Sequence, residues 1–255
     1  MTMPRRLLNQ NRQQERLTQE RLQSRISAAF ERRVASEINA TMRAMLERWE
    51  GSGHVRAEDE HQRRVYQMLV SDYTAAAETF AGRVMDTAKA AHGPKWRKAD
   101  GEDLFERIVQ EFLRVRGGQK IAGDISETTK RQVMRLIAMG RSEGLGQQAI
   151  ARQALSRTSA ISRARAGVIA RTETHSAANF AQHEAAKETG LDMQQEWIAA
   201  VDGRERPEHG DADGQVVQMD AAFSVDGERL KYPGDPSGSA HNVINCRCAA
   251  GLIVD

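Results

Sequence analysis

The sequence is poor in the residues on which disulfide-rich and β-rich proteins depend. It contains 2 cysteines and 5 prolines, and aromatic residues make up 5% of its 255 residues. One residue separates Cys246 from Cys248, and a disulfide at that spacing would close a small, strained ring. We therefore expect reduced thiols and no disulfide scaffold. With 28% charged residues, this composition favours a helix-rich protein over a β-sandwich.

Long apolar runs are also absent. No stretch approaches the roughly 20 apolar residues that span a bilayer as a helix. The first residues, MTMPRRLLNQ, lack the apolar segment of a signal peptide. These absences predict a soluble protein that is made in the cytoplasm and has no membrane partner.

The net charge of +2 hides a difference between two parts of the chain. Residues 1–165 carry 30 Lys and Arg against 20 Asp and Glu, whereas residues 166–255 carry 7 against 15. Such asymmetry predicts a basic part that meets nucleic acid or an acidic protein surface. An equally good interpretation is a solvated, arginine-rich helical face.

The arginines near the N-terminus are the candidate contacts for DNA or for a protein partner. They are Arg5, Arg6, Arg12, Arg16, Arg21, Arg25, Arg32 and Arg33. Guanidinium groups bind phosphate through paired N–H donors, which predicts salt-sensitive affinity without sequence preference. Phe30 is the single aromatic residue among the first 33, which argues against a surface that stacks the bases of single strands.

Apolar residues recur every four positions between residues 22 and 42, which predicts a long first helix. They are Leu22, Ile26, Phe30, Val34, Ile38 and Met42. A step of four exceeds the 3.6-residue turn, so the stripe rotates and meets different neighbours along its length. Later helices are predicted to begin at Ser126, as an N-cap, and to cover residues 159–188.

After Gly190 the pattern changes to short β-prone segments separated by turns. The segments QEWIAAV, GQVVQM and AAGLIV alternate with Asp-Gly and Pro-Gly pairs, which are turn signals between short strands. The sequence therefore predicts an α+β protein. A basic, extended helical region is expected over residues 1–125, followed by a domain over residues 126–255 with a long helix and a small sheet.

Motifs in the C-terminal half follow one another in a distinctive order. They are Arg171-Thr172-Glu173, Trp197, Asp202, Arg204, Arg206, His209, Asp213-Gly214, Phe223, Tyr232-Pro233-Gly234-Asp235 and Asn245-Cys246-Arg247-Cys248. In order and spacing this set resembles the phage head morphogenesis family, the Mu F-like or SPP1 gp7-like minor head proteins. The resemblance extends over residues 126–254 and is densest over residues 170–248.

The resemblance implies a minor structural protein of a tailed-phage head, without catalysis, that acts in head assembly or DNA delivery. It implies a position near the portal vertex of the virion, after assembly in the host cytoplasm. The implied partners are the portal protein and, in addition, packaged double-stranded DNA and the scaffold or major capsid protein. A DNA-binding ejection factor that uses the basic arm is an alternative function.

His209, Cys246 and Cys248 are candidate ligands for a structural zinc ion, since imidazole and thiolate both suit Zn²⁺. Two cysteines on either side of one residue would point to opposite faces of an extended strand, so the alternative is that one cysteine is a small core residue. No other cofactor is expected.

A second set of polar residues is compatible with acid–base chemistry. Arg171, Glu173, Asp202 and His209 would have to converge where helix meets sheet. The alternative is an ion-pair network that stabilises the domain, and a catalytic or toxin-like effector is the less favoured function. The turn at Tyr232 and Pro233 is expected to be structural.

Overall fold

The computed structural model describes residues 5–6, 11–55, 59–92 and 101–254. Its helices are α1 (Arg12–Ser52), α2 (Asp59–His92), α3 (Gly101–Arg116), α4 (Gly118–Ser142), α5 (Gln147–Glu188), α6 (Pro207–Asp211) and α7 (Ala240–Val243). Its strands are β1 (Arg5–Arg6), β2 (Met193–Ile198), β3 (Val216–Gln218), β4 (Phe223–Val225), β5 (Glu228–Leu230) and β6 (Ala249–Val254). The predicted α+β class is confirmed.

Five of the helices are long, and the described part of the chain includes no helix that is both long and apolar enough to cross a membrane. The stripe predicted for the first helix forms much of the buried face of α1. Phe30, Val34, Ile38 and Met42 have no exposed surface. Leu22 and Ile26, at the start of the stripe, are half-buried.

The strands form two small antiparallel sheets. A four-stranded sheet has the order β1-β6-β2-β3, and β4 pairs with β5 in a separate hairpin. In the central pair, Trp197 of β2 lies opposite Ala250 of β6. The three segments predicted as strands correspond to β2, β3 and β6. The hairpin forms at the Asp226-Gly227 turn, where both residues have positive φ.

Two predicted helix starts were wrong. α4 begins at Gly118, after Gly117 at φ 68°, so Ser126 lies within the helix and its side chain is buried. α5 begins at Gln147 rather than Ser159, because Gly144 at φ 72° is the break between α4 and α5. Left-handed glycines end helices at no steric cost, so these two glycines set the boundaries.

The chain forms two compact units that interleave along the sequence. The first unit comprises Met1–Ser27, Asp72–Val115 and Arg171–Asp255, and the second comprises Ala28–Ser71 and Arg116–Ala170. Three long helices, α1, α2 and α5, contribute residues to both units. The predicted boundary between residues 125 and 126 falls inside α4, within the second unit, so it does not coincide with the division into units.

A close approach between α4 and α5 shapes the second unit. A Cβ atom built on Gly140 would lie 2.7 Å from Cγ1 of Ile150, a distance that real Cβ atoms do not tolerate.

The second unit also contains a buried polar cluster, in which His61 and Arg64 each place a nitrogen 2.8 Å from Oε1 of Glu37.

The first unit contains a series of four aromatic rings in contact. Tyr73, Phe112, Phe180 and Tyr232 follow one another with ring centroids 4.7, 5.0 and 5.9 Å apart. Edge-to-face and tilted contacts of this kind add to the free energy of burial. These four rings link α2, α3 and α5 to the turn that contains Tyr232.

Candidate metal centre

Three buried side chains with metal-ligand chemistry converge in the first unit. Nδ1 of His209 lies 3.6 Å from Sγ of Cys246 and 3.4 Å from Sγ of Cys248. All three ligand atoms lie within 4.8 Å of one another, and no other such group of His, Cys, Asp and Glu occurs in the described ranges. Each of the three residues is at most 3% exposed.

The position of His209 follows from the short helix α6. Arg206 is extended, and Pro207 occupies the first helical position, where the fixed φ of proline suits a helix start. The imidazole packs edge-on against the indole of Trp197, with centroids 5.6 Å apart and planes at 82°. Trp197 is itself fully buried, so the strand β2 and the helix α6 together orient the histidine ring.

The two cysteines lie between a turn and a strand, in a segment without regular secondary structure. Asn245, in the turn, has φ 58°, and the backbone N–H of Cys246 donates to the carbonyl of Val243. The strand β6 begins only at Ala249. The thiols were expected to point to opposite faces of an extended strand, but here the sulfurs of both cysteines lie within 3.6 Å of Nδ1 of His209.

Asn242 of α7 determines which nitrogen of His209 faces the sulfurs. Its Oδ1 lies 3.2 Å from Nε2 of His209. An amide oxygen can only accept a hydrogen bond, so Nε2 carries the proton and Nδ1 presents a lone pair to both thiols. Asn242 is fully buried. Asn242 was not among the predicted site residues, because nothing in its spacing marks it as a partner of His209.

The thiols influence each other's protonation. The hydrogen bond between them and their burial raise the pKa of Cys248. The same hydrogen bond lowers the pKa of Cys246.

A small cavity adjoins the sulfurs and the imidazole. Its volume is about 10 Å³, which is the space of roughly one water molecule. Besides the three ligand candidates, it is lined by Ala200, Arg204, Glu205, Arg206, Asn245 and Arg247. One side of the sulfur–imidazole centre is therefore open to a polar, water-sized space.

The residues considered for acid–base chemistry have separate partners. The hydroxyl of Tyr73 donates to Oε2 of Glu173 at 2.8 Å, within the core. Asp202 accepts from both Arg247 and Arg204. His209 contacts the thiols and Asn242, as described above. The geometry of these residues is that of separate structural contacts.

Arg171 has a weak contact near the metal centre. Its Nε donates to Oδ1 of Asn245 at 3.4 Å, and the hydroxyl of Thr172 accepts from the N–H of Asn245 at 3.1 Å. These two helix residues support the turn that carries Cys246. Arg171 itself is exposed.

The Tyr232-Pro233-Gly234 turn packs against α5. Tyr232 and Pro233 are buried, and the hydroxyl of Ser176 donates to the carbonyl of Gly234. Gly234 has φ 81°, and a Cβ there would lie 2.8 Å from Cδ2 of His175. Glycine is therefore required at this position by both its backbone and its neighbour.

The N-terminal arginines do not share one environment. Arg12 is half-buried, and it pairs with Glu196 and Asp213, each at 2.7 Å. Arg16 pairs with Glu20 on the same helix. Arg12 therefore serves as an internal contact of the first unit. Both acids lie far from Arg12 in the sequence, so no local pattern predicts these pairs.

The other N-terminal arginines face solvent where their side chains are described. Arg21, Arg25, Arg32 and Arg33 are exposed, and Arg33 donates to the hydroxyl of Ser71. For Arg5 and Arg6 the backbone pairs with Val254 and Ile253 of β6, and their side chains lie outside the described part. Among the side chains that the structure describes, four arginines of α1 are therefore exposed candidates for this contact.

Comparison with known proteins relates this part of the chain to phage proteins. Residues 131–251 match the family described as Phage Mu protein F like protein. The minor head protein GP7 of Bacillus phage SPP1 is 37% identical over 157 residues, which are 60% of this chain and 50% of that protein. No solved structure matches the chain significantly.

Two further relatives share shorter segments. The NAD(+)--arginine ADP-ribosyltransferase EFV of Enterococcus faecalis (strain ATCC 700802 / V583) is 37% identical over 34% of this chain and 18% of its own length. The uncharacterized protein YqbB of Bacillus subtilis (strain 168) is 32% identical over 36% of this chain and 32% of its own length.

The chain thus spans half or less of the length of each of these relatives. The matched residues 131–251 include α5, α6, α7 and the three residues of the candidate metal centre. Residues 131–251 of this chain are similar to the Phage Mu protein F like family.

Proposed function

We propose that this chain is a minor structural protein of a tailed-bacteriophage head, bound at the portal vertex and acting in head assembly, genome delivery or both. The observation that carries the proposal is the match of residues 131–251 to the Phage Mu protein F like family. The likeness to a minor head protein over 60% of the chain supports it.

The direct test is to delete the gene from its phage or prophage and to complement it with the full chain. We expect purified particles to contain the chain in few copies, and particles made without it to be defective in assembly or in DNA delivery. Normal yield and infectivity of particles that lack the chain would contradict the proposal.

For portal binding, the exposed arginines of α1 are the proposed contacts. Deletion of the first 50 residues would remove Arg12 and Glu15, which are tied into the first unit, so point variants are the better test. We expect the triple variant Arg21→Gln, Arg25→Gln and Arg32→Gln to weaken co-purification with the portal protein of the same genome.

A matched control removes the same charge elsewhere. Arg135, Arg152 and Arg157 are exposed on α4 and α5, and their replacement by Gln is expected to leave portal binding unchanged. Equal losses in both triple variants would indicate a general effect of charge, and no loss in either would remove α1 from the interface. Binding to the scaffold or major capsid protein is measured with the same variants.

Binding of double-stranded DNA is the second candidate function, and the exposure of Arg21, Arg25 and Arg32 favours it. Each phosphate contact contributes about 0.9 to the slope of log affinity against log salt. The triple variant of α1 is therefore expected to reduce that slope by up to about 3. Duplex anisotropy titrations at several salt concentrations measure it, and absence of binding at low salt would exclude this function.

We propose that the chain has no catalytic activity. Glu173, Asp202 and His209 each have separate partners in the first unit, which supports this proposal. The named ADP-ribosyltransferase shares only 18% of its length with the aligned segment. Incubation with labelled NAD⁺ and an arginine-containing acceptor tests the point, and label transfer that His209→Ala abolishes would contradict it.

A further inference from the structure

We propose that His209, Cys246 and Cys248 bind one Zn²⁺ ion per chain, with a water molecule from the adjoining cavity as the fourth ligand. The proposal does not depend on the function proposed above. It rests on the distances between the three ligand atoms, on the hydrogen bond to the far side of the imidazole, and on the cavity.

The distances fit a tetrahedral metal ion. With Zn–S bonds of about 2.3 Å and a Zn–N bond of about 2.0 Å, a tetrahedral angle separates nitrogen from sulfur by about 3.5 Å. The observed separations between Nδ1 of His209 and the two sulfurs are 3.6 and 3.4 Å. An ion can therefore be accommodated with small movements of the three side chains.

The orientation of His209 fits as well. Metal-bound histidines commonly donate their other N–H to an acceptor that fixes the ring. Here Nε2 donates to Oδ1 of the buried Asn242, and Nδ1 faces the sulfurs.

The donor set selects the metal. Two thiolates and one imidazole suit Zn²⁺ better than Mg²⁺ or Ca²⁺, which prefer oxygen ligands. Both thiols bind as thiolates, so binding releases their protons to solvent. The water-sized cavity of about 10 Å³ beside the three residues provides the fourth position, in agreement with three protein ligands rather than four.

Zinc at this position would join elements that are distant in sequence. His209 belongs to α6, whereas the cysteines precede β6 by one to three residues. The ion would therefore cross-link α6, which follows β2, to the segment just before β6. A domain with a small core gains stability from such a link.

The test uses the full chain, purified without chelators and under reducing conditions. We expect about one zinc per chain by elemental mass spectrometry, and protection of both thiols from alkylation until a chelator is added. Replacement of zinc by Co²⁺ is expected to give the ligand-field bands of a tetrahedral site together with a thiolate-to-metal charge-transfer band.

Variants separate the roles of the individual residues. Cys246→Ser, Cys248→Ser and His209→Ala are each expected to lose stoichiometric zinc. Asn242→Ala removes the acceptor on Nε2 and is expected to weaken zinc binding by about 10- to 100-fold while the cobalt spectrum keeps its thiolate band. His241→Ala is the matched control, because His241 is exposed and precedes Asn242 directly; it is expected to leave zinc binding unchanged.

The wild-type measurements decide the question even where a ligand variant fails to fold. A reduced, folded wild-type chain with neither stoichiometric zinc nor a thiolate-to-cobalt band would overturn the proposal. So would a disulfide between Cys246 and Cys248 in the freshly isolated chain, because a disulfide removes both thiolate ligands.

Discussion

The two compact units use the helix α1 in different ways. In the second unit, α1 buries apolar residues such as Val34, Ile38 and Met42, which have no exposed surface. In the first unit, the same helix buries Glu15 and Gln19, which are 2% and 1% exposed. One continuous helix is therefore held by apolar packing over one part of its length and by polar contacts over the other.

The polar contacts of α1 in the first unit form a connected group. Arg83 of α2 donates two hydrogen bonds to the carboxylate of Glu15, at 2.8 and 2.7 Å. Gln19 donates to the carbonyl of Ala250 in β6 at 2.9 Å, and Gln182 of α5 donates to the same carbonyl at 2.7 Å. Directional bonds of this kind fix the position of α1 more specifically than apolar contact does, and they leave no periodic pattern in the sequence.

The largest expected loss of stability comes from breaking the ion pair between Arg83 and Glu15 in the first unit. Arg83→Met leaves the carboxylate of Glu15 buried without its bidentate partner, and such losses cost about 3 to 5 kcal/mol. Urea unfolding followed by circular dichroism measures the change in the free energy of unfolding.

The control for this variant is Arg114→Met, which breaks an exposed pair with Glu111 in the same unit. We expect the denaturation midpoint to stay nearly unchanged, since exposed ion pairs contribute little. If both variants shift the midpoint equally, the burial of Glu15 has no special role. The conclusion that buried polar contacts hold α1 in the first unit would then be wrong.

The next effect concerns Glu37 of the second unit, which accepts hydrogen bonds from His61 and Arg64. Burial raises the pKa of Glu37, but hydrogen bonds and charges from His61 and Arg64 outweigh it and lower the pKa to about 2. A depressed carboxyl pKa stabilises the fold above its unfolded value of about 4.5, and this stabilisation is lost as pH falls toward 2. The difference corresponds to stabilisation on the order of 3 kcal/mol.

Thermal unfolding between pH 6 and pH 3 is expected to show this loss, and Glu37→Gln is expected to flatten it. The variant should also be less stable than the wild type at pH 6, and the difference should shrink as the pH is lowered. A pH dependence that is the same in both proteins would show that Glu37 is not the group responsible.

The smallest effect tests the close packing of the second unit. Gly140→Ala places a Cβ atom 2.7 Å from Ile150, and overpacking of this kind costs about 1 to 3 kcal/mol. Gly51→Ala on α1 is the matched control, because no heavy atom lies within 4 Å of the added Cβ. Alanine is the better helix former, so the two variants are expected to change the melting temperature in opposite directions.

The helical half of the fold follows from the sequence where apolar periodicity is strong. The stripe through Phe30 and Met42 predicted α1, and the turn signals after Gly190 predicted the short strands. The starts of α4 and α5 were missed, because Gly117 and Gly144 adopt left-handed conformations that composition alone does not reveal. Ser126 has the chemistry of a helix cap, but it lies in the middle of α4.

The residues of the candidate site could be predicted from the sequence, but their arrangement in space could not. His209, Cys246 and Cys248 are identifiable by residue type, and alternation along an extended strand argued against their joint use. The structure contradicts that argument, since the sulfurs of both cysteines lie within 3.6 Å of Nδ1 of His209. Asn242, which orients His209, became apparent only once α6 and α7 were placed together.

The sequence by itself determined the resemblance of residues 126–254 to a phage head protein family, the α+β class, the apolar face of α1 in the second unit and the identity of the three sulfur and imidazole donors. Local periodicity and residue chemistry are sufficient for these features. Tertiary structure alone decided that Arg12 and Glu15 serve as internal contacts, that Glu173 pairs with Tyr73, and that both thiols face one imidazole. Each of these features depends on directional contacts between residues 37 to 201 positions apart, which no local pattern encodes.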